Sequence, residues 1–169
     1  MPEVISNTSP LQYLHQAGLL SLLPSIAGTI VIPPAVRAEL MEGRLRGVDL
    51  PDVDTLPWII VRTPASTPAL PLASDLGAGE AEVLALALES PGSVVVMDDA
   101  LGRQVAQTLR IRLSGTLGLL LDAKRRGLLP AVGPTLDRLQ ALRFRISRST
   151  REAVLRIAGE EPLPPASPA

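Results

Sequence analysis

Cysteine is absent from this 169-residue chain, and histidine occurs once, as His15. The first absence excludes a disulfide framework and any Cys-based zinc site. The second excludes a multi-histidine metal centre and leaves little for histidine base catalysis. Aromatic residues make up only 2%, so stacking of bases on a sheet of aromatic rings is not the expected mode of nucleic-acid binding. No run approaches the roughly 18 to 20 apolar residues that a membrane span needs. The N-terminus has no basic segment leading into an apolar core, so no secretory signal is expected. An intracellular, cytoplasmic protein with no membrane contact is the default expectation.

Lysine is almost missing as well: 15 of the 16 basic residues are Arg. Arg suits bidentate phosphate contacts, although GC-rich coding would give the same bias. The net charge of −1 conceals an uneven distribution. Residues 1–100 carry 4 Arg against 12 Asp and Glu, a net of −8, whereas residues 101–169 carry 11 Arg and 1 Lys against 5 acids, a net of +7. Such asymmetry hints at a polyanionic partner; solvated helix faces explain it equally well.

What the chain does have is apolar content, at 46%, enough for one domain with a real core. Val4–Ser6 reads as a short strand running into a helix at Thr8–Ala17. Ser9 suits the N-cap, Pro10 the first helical position and Gln12 a capping box. A short helix over 19–26 follows, then a β-branched strand at Thr29–Ile32. Pro33-Pro34 opens a helix from Ala35 to about Glu42, which Gly43 is expected to close. Trp58–Val61 reads as an extra strand at a sheet edge, and Thr63–Pro71, with three prolines, as a surface loop. Leu76–Ser90 is the clearest helix. Ser93–Met97 is a continuous apolar strand of the kind parallel sheets bury. A helix at 99–109, a strand at 111–113 and helices at 116–126, 134–142 and 149–158 complete the pattern. Strands alternating with helices predict an α/β protein, a three-layer α/β/α sandwich with a mostly parallel sheet. The domain is expected over 1–158, with a disordered Pro-rich tail at 159–169.

In such sheets ligands bind at the carboxyl ends of the strands, and four polar sites fall there. Asn7 follows the first strand. Glu39 lies in the helix after the second. Glu80 heads the 76–90 helix, and Asp98-Asp99 follow the 93–97 strand. Glu80 is followed at helical spacing by Val83, Leu84, Ala87 and Leu88, and a carboxylate at the head of an apolar stripe is costly unless paired or bound to a cation. Alone, Glu80 equally suits the first turn of a helix, and Glu39 alone reads as a surface acid. Asp99 is the better helix cap, leaving Asp98 the better ligand. Together they are harder to dismiss. Carboxylates converging to ~4 Å at an effective dielectric of about 20 repel by about 4 kcal/mol per pair, so such a site takes up protons or recruits a metal. Oxygen-only donors favour Mg²⁺ or Mn²⁺, ions that commonly serve phosphoryl chemistry.

These segments resemble the PIN-domain superfamily, and more narrowly a little-characterised prokaryotic branch of it. The resemblance rests on the strand followed by Asn7-Thr8-Ser9-Pro10, on Val31-Ile32-Pro33-Pro34-Ala35-Val36-Arg37-Ala38-Glu39-Leu40, on Gly77-Ala78-Gly79-Glu80-Ala81-Glu82 and on Val96-Met97-Asp98-Asp99 with Gly102-Arg103. Ser114-Gly115-Thr116-Leu117-Gly118 and Ala123-Lys124-Arg125-Arg126-Gly127-Leu128 extend it, over about residues 3–158. It implies an acidic pocket at the sheet edge, one or two Mg²⁺ or Mn²⁺ ions and hydrolysis of RNA phosphodiesters. It also implies the toxin of a toxin–antitoxin pair, with a small antitoxin protein as partner, and a homodimer. Carried over by position, Asn7, Glu39, Glu80 and Asp98 or Asp99 are the metal ligands, and Asp98, Glu80 and Glu39 the catalytic acids. Thr8 or Ser9 adds a hydroxyl near the metal, and Thr116 one near the phosphate. Arg103 and the Arg-rich 110–126 region are then expected to contact phosphates. Asn7 departs from the pattern, since most PIN nucleases carry Asp there. Its amide oxygen can still coordinate a hard cation, but without charge, so weaker metal binding is expected.

Two other readings compete. A PIN-like fold that has lost catalysis would act as an RNA- or protein-binding module, binding RNA without metal and with steep salt dependence. A small-molecule phosphate enzyme on a Rossmann-like sheet ranks last, because no Gly-rich phosphate loop follows the first strand.

Overall fold

The computed structural model describes residues 1–66, 70 and 75–160. Most of the expected tail, and part of the expected loop at Thr63–Pro71, lie outside the described residues. The chain divides into two compact units, Met1–Leu119 and Leu120–Ala169.

The first unit is built on five short parallel strands: β1 (Val4–Ser6), β2 (Ile30–Ile32), β3 (Ile59–Val61), β4 (Val94–Val96) and β5 (Arg112–Ser114), in the order β3-β2-β1-β4-β5. β1 pairs Val4 with Ile30 on one side and with Val94 on the other. β2, β3 and β4 are unbroken runs of Val and Ile, and the inner strands β2 and β4 are largely buried, as expected of parallel strands covered on both faces. Ile5, Ile30, Ile32 and Val95 are fully buried, and each such side chain contributes about 1.5–3 kcal/mol. Trp58–Val61 was expected at an edge, and β3 is an edge strand. Five α-helices lie within this unit, α1 (Thr8–Gln16), α2 (Leu22–Ala27), α3 (Pro34–Leu45), α4 (Ala78–Glu89) and α5 (Ala100–Thr108); α6 (Thr116–Arg125) starts in it, and α7 (Gly133–Ala141) and α8 (Arg148–Ile157) belong to the second unit.

The sheet winds outward in opposite directions from its middle, β1 to β3 one way and β4 to β5 the other. In sheets wound this way, right-handed crossovers send helices to both faces and ligands bind at the switch point, which here lies between β1 and β4. Asn7 leaves the first of these strands and Asp98 lies just past the second.

Three local expectations are corrected. α1 begins at Thr8 with Asn7, not Ser9, in the N-cap position, and Asn7 makes no capping hydrogen bond; its side chain is used elsewhere. α2 starts at Leu22, after a turn over the residues first assigned to it. α3 runs through Gly43 to Leu45. Gly43 is needed there for packing rather than termination, because a Cβ on it would collide with the Leu50 side chain.

The second unit buries Leu120, Ala123, Leu129, Val132, Leu136, Leu139, Phe144 and Val154. Glu160, assigned to the tail on sequence, holds this unit together. Its carboxylate accepts hydrogen bonds from Lys124 Nζ (2.7 Å) and from the Val132 and Gly133 amides at the start of α7. Burial works to raise the Glu160 pKa, but these donors outweigh it and hold the carboxyl below the usual range.

Candidate functional site

The switch point carries two polar clusters. The first gathers around Asn7, which is 1% exposed. Its backbone amide donates to Val96 O (3.0 Å), anchoring it between β1 and β4. Its Nδ2 donates to Glu80 Oε1 at 2.9 Å. Glu80 stands in the first turn of α4, as expected, with Val83, Leu84 and Ala87 buried behind it. The Asn7 Oδ1 atom is buried and has no hydrogen-bond partner. Leaving a buried amide oxygen unpaired costs about 1–3 kcal/mol, so this atom marks a place where a ligand would be welcome.

Glu39 joins this cluster from α3. Its Oε2 accepts from the Thr8 hydroxyl and its Oε1 from the Gly79 amide at 3.2 Å. Gly79 keeps this space open. A Cβ there would stand 2.7 and 3.1 Å from the two Glu39 oxygens and 3.2 Å from Asn7 Oδ1. The bare backbone of Gly79 therefore borders a cradle faced by the Glu39 carboxylate and the unpaired Asn7 oxygen. Ser9, expected as an alternative hydroxyl, lies half-buried in the first turn of α1.

The second cluster lies at the exits of β4 and β5. Asp98 Oδ1 accepts the Thr116 amide (2.8 Å) and Oδ2 the Thr116 hydroxyl (2.6 Å), at the start of α6. Thr116 is fully buried. Burial pushes the Asp98 carboxyl above the usual carboxylate range, against the two Thr116 hydrogen bonds and the nearby Arg103 charge. Arg103, expected at the phosphates, donates Nη1 to Met97 O (2.8 Å) and Ser114 O (3.1 Å), stapling the ends of β4 and β5 together. Gly115 permits this: a Cβ on it would stand 2.9 Å from Asp98 Oδ1 and 3.0 Å from Arg103 Nη1. Asp99 caps α5 through a bond from the Gly102 amide to Oδ2 (2.7 Å), the role the sequence suggested.

The structure thus brings Asn7, Thr8, Glu39 and Glu80 together. Asp99 is near them: its Oδ2 and Glu80 Cγ each lie 3.4 Å from where a Cβ on Gly102 would be. Asp98 and Thr116 form a self-contained pair. Among the described residues, no three His, Asp or Glu side chains are grouped so as to hold one metal ion. The donors that remain are all oxygen, one of them the buried, unpaired Asn7 Oδ1, and that chemistry fits a hard divalent cation. One contributor escaped the sequence reading. Glu82 accepts the Ala35 amide at 2.8 Å, capping α3 from α4 and fixing the two helices that carry Glu39 and Glu80. Its second-turn position beside Glu80 gave no hint of a partner 47 residues away. Of the arginines expected at phosphates, Arg110 and Arg112 are exposed, while Arg125 and Arg126 bond Asp122.

A family model described as a PIN domain matches residues 3–160. The chain belongs to the PIN-domain family. The match spans nearly all of the described chain and includes every residue of both clusters. No curated protein and no solved structure matches the chain. PIN domains have a nuclease-like fold, bind RNA and generally use divalent metal ions. Among the described residues, no helix is long and apolar enough to cross a membrane.

Proposed function

We propose that this PIN domain is an Mg²⁺- or Mn²⁺-dependent ribonuclease that hydrolyses RNA phosphodiesters. The observation that carries the proposal is the buried, unpartnered Asn7 Oδ1 facing the Glu39 carboxylate across Gly79. Asn7 and Glu39 would hold the ion, which when bound lowers the pKa of water and offsets charge on the phosphate. Thr8 and Gly79 fix the orientation of Glu39. Asn7 Nδ2 holds Glu80 by one oxygen, and the second oxygen of Glu80 accepts the proton of the attacking water. Asp98 and Arg103 act at a distance, keeping the ends of β4, β5 and α6 in place. Pairing with a small antitoxin, and dimerisation, belong to the same proposal and are supported by family membership alone.

The test is cleavage of RNA by purified protein in Mn²⁺, beside Glu39→Gln and Glu80→Gln. Cleavage by the native chain that is lost in both variants and in EDTA supports the proposal; identical behaviour of all three overturns it. A second reading, a PIN fold acting as an RNA-binding module without catalysis, is favoured by the uncharged Asn7 and by the lack of a three-acid group among the described residues. It requires RNA binding that persists in EDTA and weakens steeply with salt.

A further inference from the structure

The proposed ion site shows an unusual balance of donors and acceptors. Each carboxylate near it already receives hydrogen bonds from the chain. Glu80 takes one from Asn7 Nδ2, Glu39 takes two from Thr8 and Gly79, and Asp99 takes one from the Gly102 amide. At the exit of β4, Asp98 takes two more from Thr116. The carboxylates are therefore held in place by N–H and O–H groups, the work a cation does where acids alone converge. Among the described residues, Asn7 Oδ1 is the only fully buried side-chain polar atom without a partner, and it carries no charge. A cation entering this site gains that neutral oxygen outright, whereas both Glu39 oxygens, one Glu80 oxygen and one Asp99 oxygen already accept bonds from the chain.

We infer that Asn7 makes ion binding conditional on RNA. The free site is assembled without metal, and the ion binds firmly only when a phosphate oxygen supplies the charge that Asn7 lacks. An Asp at position 7 would reverse this. It would set a second carboxylate where Asn7 Nδ2 now donates to Glu80 at 2.9 Å, and that repulsion is relieved by a cation whether or not RNA is present. Asn7 is thus both a ligand and the element that sets the order of binding. This inference rests on the ribonuclease reading and assigns a regulatory consequence to the same site.

The test is Mn²⁺ titration followed by electron paramagnetic resonance, with and without a mixed-sequence 20-nucleotide 2′-O-methyl RNA. RNA alone serves as the blank, and a gel confirms that the oligonucleotide stays intact. For the native chain, Mn²⁺ affinity is expected to rise at least tenfold on adding the RNA. Asn7→Asp is expected to bind Mn²⁺ at least tenfold more tightly than the native chain without RNA, and to gain less than threefold from RNA. If Asn7→Asp does not fold, Thr8→Ala serves instead: freeing one Glu39 oxygen raises RNA-independent affinity severalfold. Native-chain affinity that changes by less than threefold on adding RNA overturns the inference and leaves the ribonuclease reading standing. So does a variant no tighter than the native chain. No Mn²⁺ binding by any protein, with or without RNA, overturns both.

Discussion

The Asn7 and Asp98 clusters occupy the same edge of one sheet, and they differ in how completely they are satisfied. Around Asp98 every strong acceptor has its donor: Thr116 supplies two, and Arg103 ties the adjoining carbonyls. Around Asn7 an amide oxygen is buried with nothing to accept from. Buried polar groups are nearly always paired, so the saturated cluster reads as architecture and the unsaturated one as a site awaiting a ligand. Acidity alone does not separate them. Asp98 is half-buried and burial pushes its carboxyl above the usual range, features often taken to mark function, yet Thr116 donates to both of its oxygens within the fold.

Substitutions should separate the clusters along two axes, ion-dependent activity and stability. The largest effect is expected from Glu39→Gln, which should reduce Mn²⁺-dependent RNA cleavage roughly 100-fold or more and shift the urea midpoint little. Equal losses of activity and stability would erase the distinction. Asp98→Ala should do the reverse in stability. It leaves the buried Thr116 amide and hydroxyl unpaired, and should cost about 2–4 kcal/mol in urea unfolding. A loss below about 1 kcal/mol would show that Asp98 is not architectural.

The glycines sharpen the contrast. Gly115→Ala crowds Asp98 and Arg103 at 2.9 and 3.0 Å, and should cost about 1–3 kcal/mol of stability. Gly79→Ala pushes a methyl toward Glu39 and Asn7 Oδ1; it should weaken Mn²⁺ binding about tenfold at a smaller cost in stability, read by calorimetry alongside thermal melts.

The smallest effect serves as a control away from both clusters. The bonds from Lys124 and the Val132 and Gly133 amides hold the Glu160 carboxyl below the usual carboxylate range in the folded chain. A depressed folded pKa means stability that is present above the unfolded value and lost as pH falls through the folded one. Glu160→Gln should therefore be less stable than the native chain by up to about 1 kcal/mol near pH 7. The two should converge as melts are taken from pH 5 downward, with RNA cleavage at neutral pH unchanged. A gap that widens on acidification would reverse the assigned sign.

Much of this fold was legible in the sequence because parallel strands announce themselves. Val31-Ile32, Ile59-Ile60-Val61 and Val94-Val95-Val96 are apolar runs bounded by turn residues, and their order implied a parallel sheet with the polar residues at its exits. The gathering of Asn7, Glu39 and Glu80 followed from that placement. What could not be read were partnerships across long separations. Nothing in the sequence ties Asp98 to Thr116, 18 residues on, which donates to both of its oxygens. Nor does the sequence show that Arg103 ties together the ends of two strands. Asn7 illustrates the same limit locally. Ser9, Pro10 and Gln12 suggested a capping box, but the helix that starts at Thr8 has Asn7 in the N-cap position. The pull of Glu80, 73 residues away, turns the Asn7 side chain from cap to pocket.

The most direct test of which cluster is the ion site is anomalous diffraction from crystals grown with Mn²⁺ and a short RNA. A manganese peak within coordination distance of Asn7 Oδ1 and a Glu39 carboxylate oxygen, with Asp98 still bonded to Thr116, is the predicted result. A peak held by Asp98 with Thr116 displaced, or no peak beside Asn7, would contradict it.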